Sequence, residues 1–147
     1  MTPQQKSLVQ ETWRRVVPIA EQAATLFYNR LFEINPGLRP LFAGVDMAAQ
    51  RQKLLQALAA VVGELERIDE VLPQLEELGR RHAGYGVTEQ HYEDVGSALL
   101  WTLGKSLGED WTAETKAAWT AAYTLLADAM QAPIRDNSAR QCARLSA

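Results

Sequence analysis

Apolar residues recur along this chain at three- and four-residue intervals almost throughout, and no stretch alternates for long at the period of two that a half-buried strand needs. The pattern predicts helices joined by short connections. Thr2, Pro3 and Gln5 read as a capping box with proline in the first turn, opening a helix that runs to about Val17. Pro18 marks the next start, after which Ala24, Phe27, Tyr28, Leu31 and Phe32 share one face. Asn35-Pro36 caps a short segment ending near Phe42, and "AGVD" makes a corner. A long amphipathic helix follows, with Leu54, Leu55, Leu58, Val61, Val62 and Leu65 expected on its buried side.

Pro73 is expected at or near the first turn of a shorter helix that carries Leu75, Leu78 and His82 and that Gly84 and Gly86 end. Thr88 caps a helix to about Leu107. Thr112 caps the last one, which carries Trp119, Tyr123, Leu126 and Met130 until Pro133 stops it. Residues 133–147 are then expected as a polar, flexible tail, which leaves 1–132 as the folded domain. The count is six or seven helices with no internal repeat, so the fold class is a single all-α domain.

Composition narrows what such a bundle does. At 147 residues the chain can bury about 70% of the surface it exposes when unfolded, enough for a core without staples. Its 15 basic and 18 acidic residues are interspersed, and without a basic stripe nucleic-acid binding has no electrostatic support. No apolar run approaches the roughly 20 residues of a membrane span, and the N-terminus has no apolar signal-like region. The single cysteine, Cys142, allows no internal disulfide; with the missing signal, this makes the cytoplasm the expected location.

Candidate chemistry concentrates on "LGRRHAGYGV", residues 78–87. A histidine on a helix is ordinarily a partly exposed polar residue or a hydrogen-bonded core residue. Here Val71, Leu75, Leu78 and His82 stand at i, i+4, i+7 and i+11, so the imidazole points where the leucines point. An apolar face desolvates the ring, and both nitrogens then need partners. A metal on one and a backbone carbonyl on the other would satisfy them, and Leu78, one turn earlier, is placed to offer that carbonyl. Zinc would want three or four protein ligands, and no Cys/His cluster exists. Haem needs only one, because the porphyrin brings four.

Tyr28, on the apolar stripe of its helix, and Gln50, one turn before Leu54, are each unremarkable as a core phenol and a helix-start amide. Together they would present two hydrogen-bonding groups to a small ligand in an apolar pocket. Phe42 can stack on a planar group or fill the core. His91 reads as surface, Gly84-x-Gly86 as a corner, and no nucleophile triad can be assembled.

These motifs, in this order and at these separations, resemble a globin, specifically the bacterial single-domain globins of the flavohaemoglobin lineage, close to the Hell's Gate type. The resemblance runs from about residue 3 to 131. It is carried by "LFYNRLFEINPGLRPLF", "AQRQKLLQALAAVV" and "LGRRHAGYGV"; the last two helices are also similar to neuroglobins. It implies a globin fold around haem b (iron protoporphyrin IX), with His82 as proximal iron ligand and Tyr28 and Gln50 as the distal pair. Leu54 would close the pocket, Phe42 would stack on the porphyrin, Val87 would touch its edge, and Tyr92 would sit beside the imidazole. Arg81 or Lys53 would meet the propionates.

Two departures from the lineage stand out. The glutamate that completes a proximal His-Tyr-Glu relay in flavohaemoglobins would fall near Pro133-Ile134 and is absent. The flavin and nicotinamide modules have no counterpart, so redox turnover would need an external reductase. The resemblance implies reversible binding of O₂, NO and CO, better suited to scavenging or protection against NO than to oxygen transport, in a monomer or weak homodimer. NO dioxygenation with a separate reductase is the alternative. A haem-free bundle acting as a sensor or partner-binding module is a third reading, which the intact His82, Phe42 and Tyr28 set argues against.

Overall fold

A computed structural model describes the backbone of residues 1–146 and the side chains of residues 1–135. Among the described residues there is no strand, and the six helices are α1 (Pro3–Val16), α2 (Ala20–Ile34), α3 (Met47–Gly63), α4 (Ile68–Gly84), α5 (Glu89–Leu107) and α6 (Ala113–Ser146). One-turn or slightly longer 3-10 segments link them at Val17–Ile19, Pro36–Phe42, Leu65–Arg67 and Gly108–Asp110.

The caps form where the side-chain chemistry calls for them. Thr2 Oγ1 accepts from the Gln5 amide at 3.1 Å while Gln5 Oε1 accepts from the Thr2 amide at 3.0 Å, closing the capping box. Asn35 Oδ1 accepts from Gly37 N at 3.0 Å, and Asp46 Oδ1 accepts from Ala48 N at 3.0 Å. Thr112 Oγ1 accepts from Thr115 N at 3.1 Å at the start of α6. At the start of α5 His91 Nδ1 accepts from the Thr88 amide at 3.1 Å, so this second histidine serves a helix end. Each such bond satisfies a donor that the helix leaves orphaned, typically for about 1 kcal/mol.

Two prolines depart from the sequence reading. Pro73 does not open α4, which begins five residues earlier at Ile68. Its missing N–H strips a bond from the carbonyl of Asp69, an exposed residue whose oxygen water can solvate. Pro133 does not stop α6, which continues through it to Ser146. Only the Ala129 carbonyl loses its intrahelical donor there, a local loss that the helix on either side tolerates. Cys142 and the other side chains of residues 136–147 lie outside the described residues.

Two clusters make up the core. The larger joins Val9, Val16, Phe27, Leu31, Leu99, Leu103 and Trp119 from α1, α2, α5 and α6. Inside it Trp119 Nε1 donates to Thr12 Oγ1 at 2.9 Å, pairing a buried donor with an acceptor 107 residues away. The smaller cluster, Ile68, Leu75, Tyr92, Ala127 and Met130, lies under α4. The main helix pairs are α4 on α6, α2 on α5 and α1 on α6.

The long amphipathic helix departs from expectation in burial. Only Val62 of α3 is fully buried, while Leu54, Leu55, Leu58 and Val61 remain half-buried. The reason lies in the packing: α3 and α4 are consecutive, but make no substantial contact with each other among the described residues. Instead α3 packs on α2 and α1, and α4 packs on α6, so the two apolar faces are not partners of each other.

Candidate functional site

One wall of the candidate site is assembled from three elements. Tyr28 comes from α2 and is only 6% exposed. Gln50, in the first turn of α3, donates from Nε2 to the Tyr28 hydroxyl oxygen at 3.3 Å. The phenol thereby accepts from the amide and keeps its own proton to donate elsewhere. Burial pushes the Tyr28 pKa above the ordinary tyrosine value; the Gln50 hydrogen bond and the positive charge of Arg51 act the other way. The net effect is a neutral phenol, a donor rather than an anion.

Phe42 and Phe32 hold the Tyr28 ring. Phe42 meets Tyr28 edge-on at 5.7 Å between centroids and 73°, and meets Phe32 at 5.5 Å and 75°. Phe27 packs edge-on against Tyr28 from the other side at 5.0 Å. T-shaped pairs of this kind add about 0.5–1.5 kcal/mol beyond area burial and fix ring orientation. Leu54, one turn beyond Gln50, is half-buried on the same helix.

A buried brace sets where this wall sits. Asn35 Nδ2 donates to Asp94 Oδ2 at 2.9 Å, and Gln90 Nε2 donates to Asp94 Oδ1 at 3.2 Å. Asn35 follows the end of α2 and begins the turn to Phe42, so a buried carboxylate of α5 pins the junction between the Tyr28 helix and Phe42.

A second group of candidate site residues is local to α4. His82 Nδ1 lies 2.8 Å from the Leu78 carbonyl oxygen. A carbonyl only accepts, so Nδ1 carries the proton, and Nε2 is the nitrogen left to ligate. The chain turns immediately after: Tyr85 N donates to Arg81 O and His82 O, Val87 N donates to His82 O at 3.1 Å, and Gly86 takes φ +88°, a conformation that favours glycine. Val87 is half-buried beside this corner, whereas the Tyr85 ring, 6.3 Å from the imidazole centroid, is 69% exposed.

Tyr92 is buried in the cluster under α4, and its hydroxyl has no hydrogen-bond partner. Burial raises its pKa, so it too stays neutral. Tyr123 donates to the Tyr92 backbone carbonyl at 2.6 Å and leaves that hydroxyl untouched. Pro133 and Ile134, where a carboxylate would complete the relay, are half-buried and bring no acid. Lys53 and Arg81 are exposed, and neither enters an ion pair among the described residues.

The donor set decides what group these walls suit. No cluster of three or more His, Cys, Asp or Glu exists among the described residues to hold a bare metal ion. One half-buried imidazole, with Nδ1 committed to a backbone carbonyl and half-buried Leu78 and Val87 near it in sequence, fits a metal that brings its other ligands in a flat apolar frame. Haem meets that description. Arg51 was not singled out from the sequence, because it stands about 100° around the helix from Gln50 and carries no apolar signal. Asp94 was missed as well: a carboxylate in the middle of a helix reads as solvated until its two amide partners are seen.

Comparison with known proteins points the same way. A family model for globins matches residues 25–130. The chain is 37% identical over 132 residues to a flavohemoprotein of Bordetella parapertussis, covering 87% of this chain and 32% of that protein. It is 32% identical over 136 residues to a flavohemoprotein of Chromobacterium violaceum (88% and 33%), and 29% identical over 125 residues to one of Bacillus subtilis (81% and 31%). The chain thus spans about a third of the length of the curated relatives it matches.

Proposed function

This chain belongs to the globin family, and from that premise we propose that it holds haem b through His82 and binds O₂, with NO and CO as further ligands, beside Tyr28 and Gln50. Haem supplies an iron centre that binds diatomic gases. The observation that carries the reading is the His82–Leu78 bond: it commits Nδ1 to the backbone and leaves Nε2 as the nitrogen available to iron. Leu54, Leu78 and Val87 supply apolar contact to the cofactor, and Phe42 a ring against its face. Arg81 and Lys53 at the rim pair with its carboxylates. Tyr92 packs beside the imidazole without polarising it, since its hydroxyl has no partner and no carboxylate stands near.

Tyr28 would donate a hydrogen bond to a gas bound there, with Gln50 orienting the phenol. A hydrogen bond to an acceptor that carries charge contributes about 1.5–3 kcal/mol, which stabilises polar O₂ far more than CO. At about 1.4 kcal/mol per factor of ten, this slows O₂ release tenfold to a hundredfold. Slow release suits scavenging and protection against NO better than transport. The globin unit comprises residues 1–132, with 133–147 appended to it. We place the protein in the cytoplasm as a monomer or weak homodimer; among the described residues no helix is long and apolar enough to cross a membrane.

Similarity to flavohemoproteins supports a second reading, NO dioxygenation, in which NO, O₂ and one electron give nitrate. The electron would come from a separate flavin reductase. The test of the binding role is the O₂ dissociation rate of Tyr28→Phe, expected at least tenfold above the unmodified protein; an unchanged rate removes Tyr28 from the site. Steady NO consumption by the protein with an added flavin reductase, measured beside the reductase alone, supports the dioxygenase reading; equal consumption rejects it.

A further inference from the structure

The geometry points to Gly79 as the positioning residue for His82. A Cβ built on Gly79 would overlap the Met130 carbonyl oxygen of α6 and stand 2.5 Å from its carbon and 2.7 Å from its Cα. No real Cβ tolerates such distances, and the obstacle is backbone, which cannot rotate away. Gly79 has an ordinary helical φ, so backbone freedom does not explain the residue. Glycine is also the poorer helix former in an interior position. What it provides is contact between the backbones of α4 and α6.

That contact lies on the peptide unit that orients the imidazole. The carbonyl of Leu78 and the nitrogen of Gly79 belong to one planar group. At one end its oxygen meets His82 Nδ1 at 2.8 Å; at the other, the Gly79 Cα rests against the Met130 backbone. Leu75 and Gly79 are buried against α6, and His82 follows one turn later, roughly 4.5 Å along the axis. The backbone-to-backbone stop therefore sets the depth of α4 and, through Leu78, the place and tilt of the ring. A methyl group there forces α4 off α6 by about 1 Å, since ordinary carbon contacts begin near 3.5 Å. A metal–imidazole bond spans only about 2.0–2.1 Å, so a shift of that size stretches or tilts it. Gly84 is the internal contrast: it lies in the same helix, and a Cβ there would meet nothing within 4 Å.

The inference rests on His82 being the iron ligand, and one set of measurements separates the two. In the haem-loaded, ferrous, ligand-free protein the iron–imidazole stretching band is recorded by resonance Raman for the unmodified chain, Gly79→Ala, Gly84→Ala and Leu75→Ala. The expected result is a band that moves to lower frequency in Gly79→Ala and stays in place in Gly84→Ala. It also stays in place in Leu75→Ala, which weakens the same helix interface without lifting the backbone contact. A band missing from the unmodified protein contradicts His82 as ligand. A band present there but unmoved in Gly79→Ala overturns only the positioning role, whatever the variant's thermal stability. If Gly79→Ala misfolds on expression, it is refolded with haem in a stabilising osmolyte and the folded fraction is measured. Failure to obtain any haem-bound fraction also overturns the proposal, because positioning requires a folded, displaced helix.

Discussion

The two walls of the proposed site are built on different principles. The wall with His82 is local: four residues of one helix place the carbonyl that holds Nδ1, and the following corner returns Val87 to the His82 carbonyl. The wall with Tyr28 is assembled from α2, the 36–42 turn and α3, and is braced by an aspartate of α5 that sits 59 residues from its partner Asn35. Helix geometry alone specifies the first. The second exists only when four separate segments have packed. Damage to long-range packing should therefore reach the distal donor before it reaches the proximal ligand.

Breaking the Asp94 brace is the strongest test of that asymmetry. Asp94→Ala leaves the half-buried Asn35 amide and the exposed Gln90 amide without their acceptor and should cost about 1–2 kcal/mol in denaturant unfolding. It should speed O₂ release while the iron–imidazole band stays put; a moved band with an unchanged O₂ rate would reverse the assignment of the two walls. Alkaline pH acts on both walls together. Tyr28, Tyr92 and Tyr123 all have pKa values raised by burial. Above the ordinary tyrosine pKa, near 10, the unfolded chain loses phenolic protons that the folded chain keeps. The stability these groups contribute is thus complete below about pH 10 and declines as pH rises towards their folded values. Unfolding free energy measured between pH 8 and 12 should be level at first and then fall; a rise would contradict the burial of these phenols.

Gln50→Leu is a finer cut. It removes the amide that orients Tyr28 but not the donor itself, and a neutral hydrogen bond contributes about 0.5–1.5 kcal/mol, or roughly twofold to tenfold in O₂ dissociation. An effect as large as that of Tyr28→Phe would make Gln50 the principal donor instead. Tyr92→Phe should do least. Its hydroxyl is buried without a partner, so stability and the iron–imidazole band should change little, with any stability change towards a gain.

How far the sequence disclosed this follows the same division. The Thr2, Asn35 and Thr112 caps, the aromatic stripe of α2 and the Leu78–His82 pairing are all local patterns, and they could be read in advance. The prolines misled because a single lost hydrogen bond ends a helix only where packing does not carry it through, and packing is not a local property. The burial of α3 was overestimated because periodicity identifies an apolar face but not what lies across from it. Asp94 and Arg51 needed partners distant in sequence to acquire meaning. Gly79 left a trace, a glycine in a helix interior, that becomes legible only beside Met130.

The central proposal is that His82 Nε2 is the one protein donor to a haem bound by this chain, and titration of the purified chain with ferric haem under an absorbance spectrum tests it most directly. The account predicts a Soret band that saturates at one haem per chain and is lost or strongly weakened in His82→Ala, while His91→Ala, which alters only the α5 cap, keeps it. Failure of the unmodified chain to form the band, or an undiminished band in His82→Ala, would contradict it.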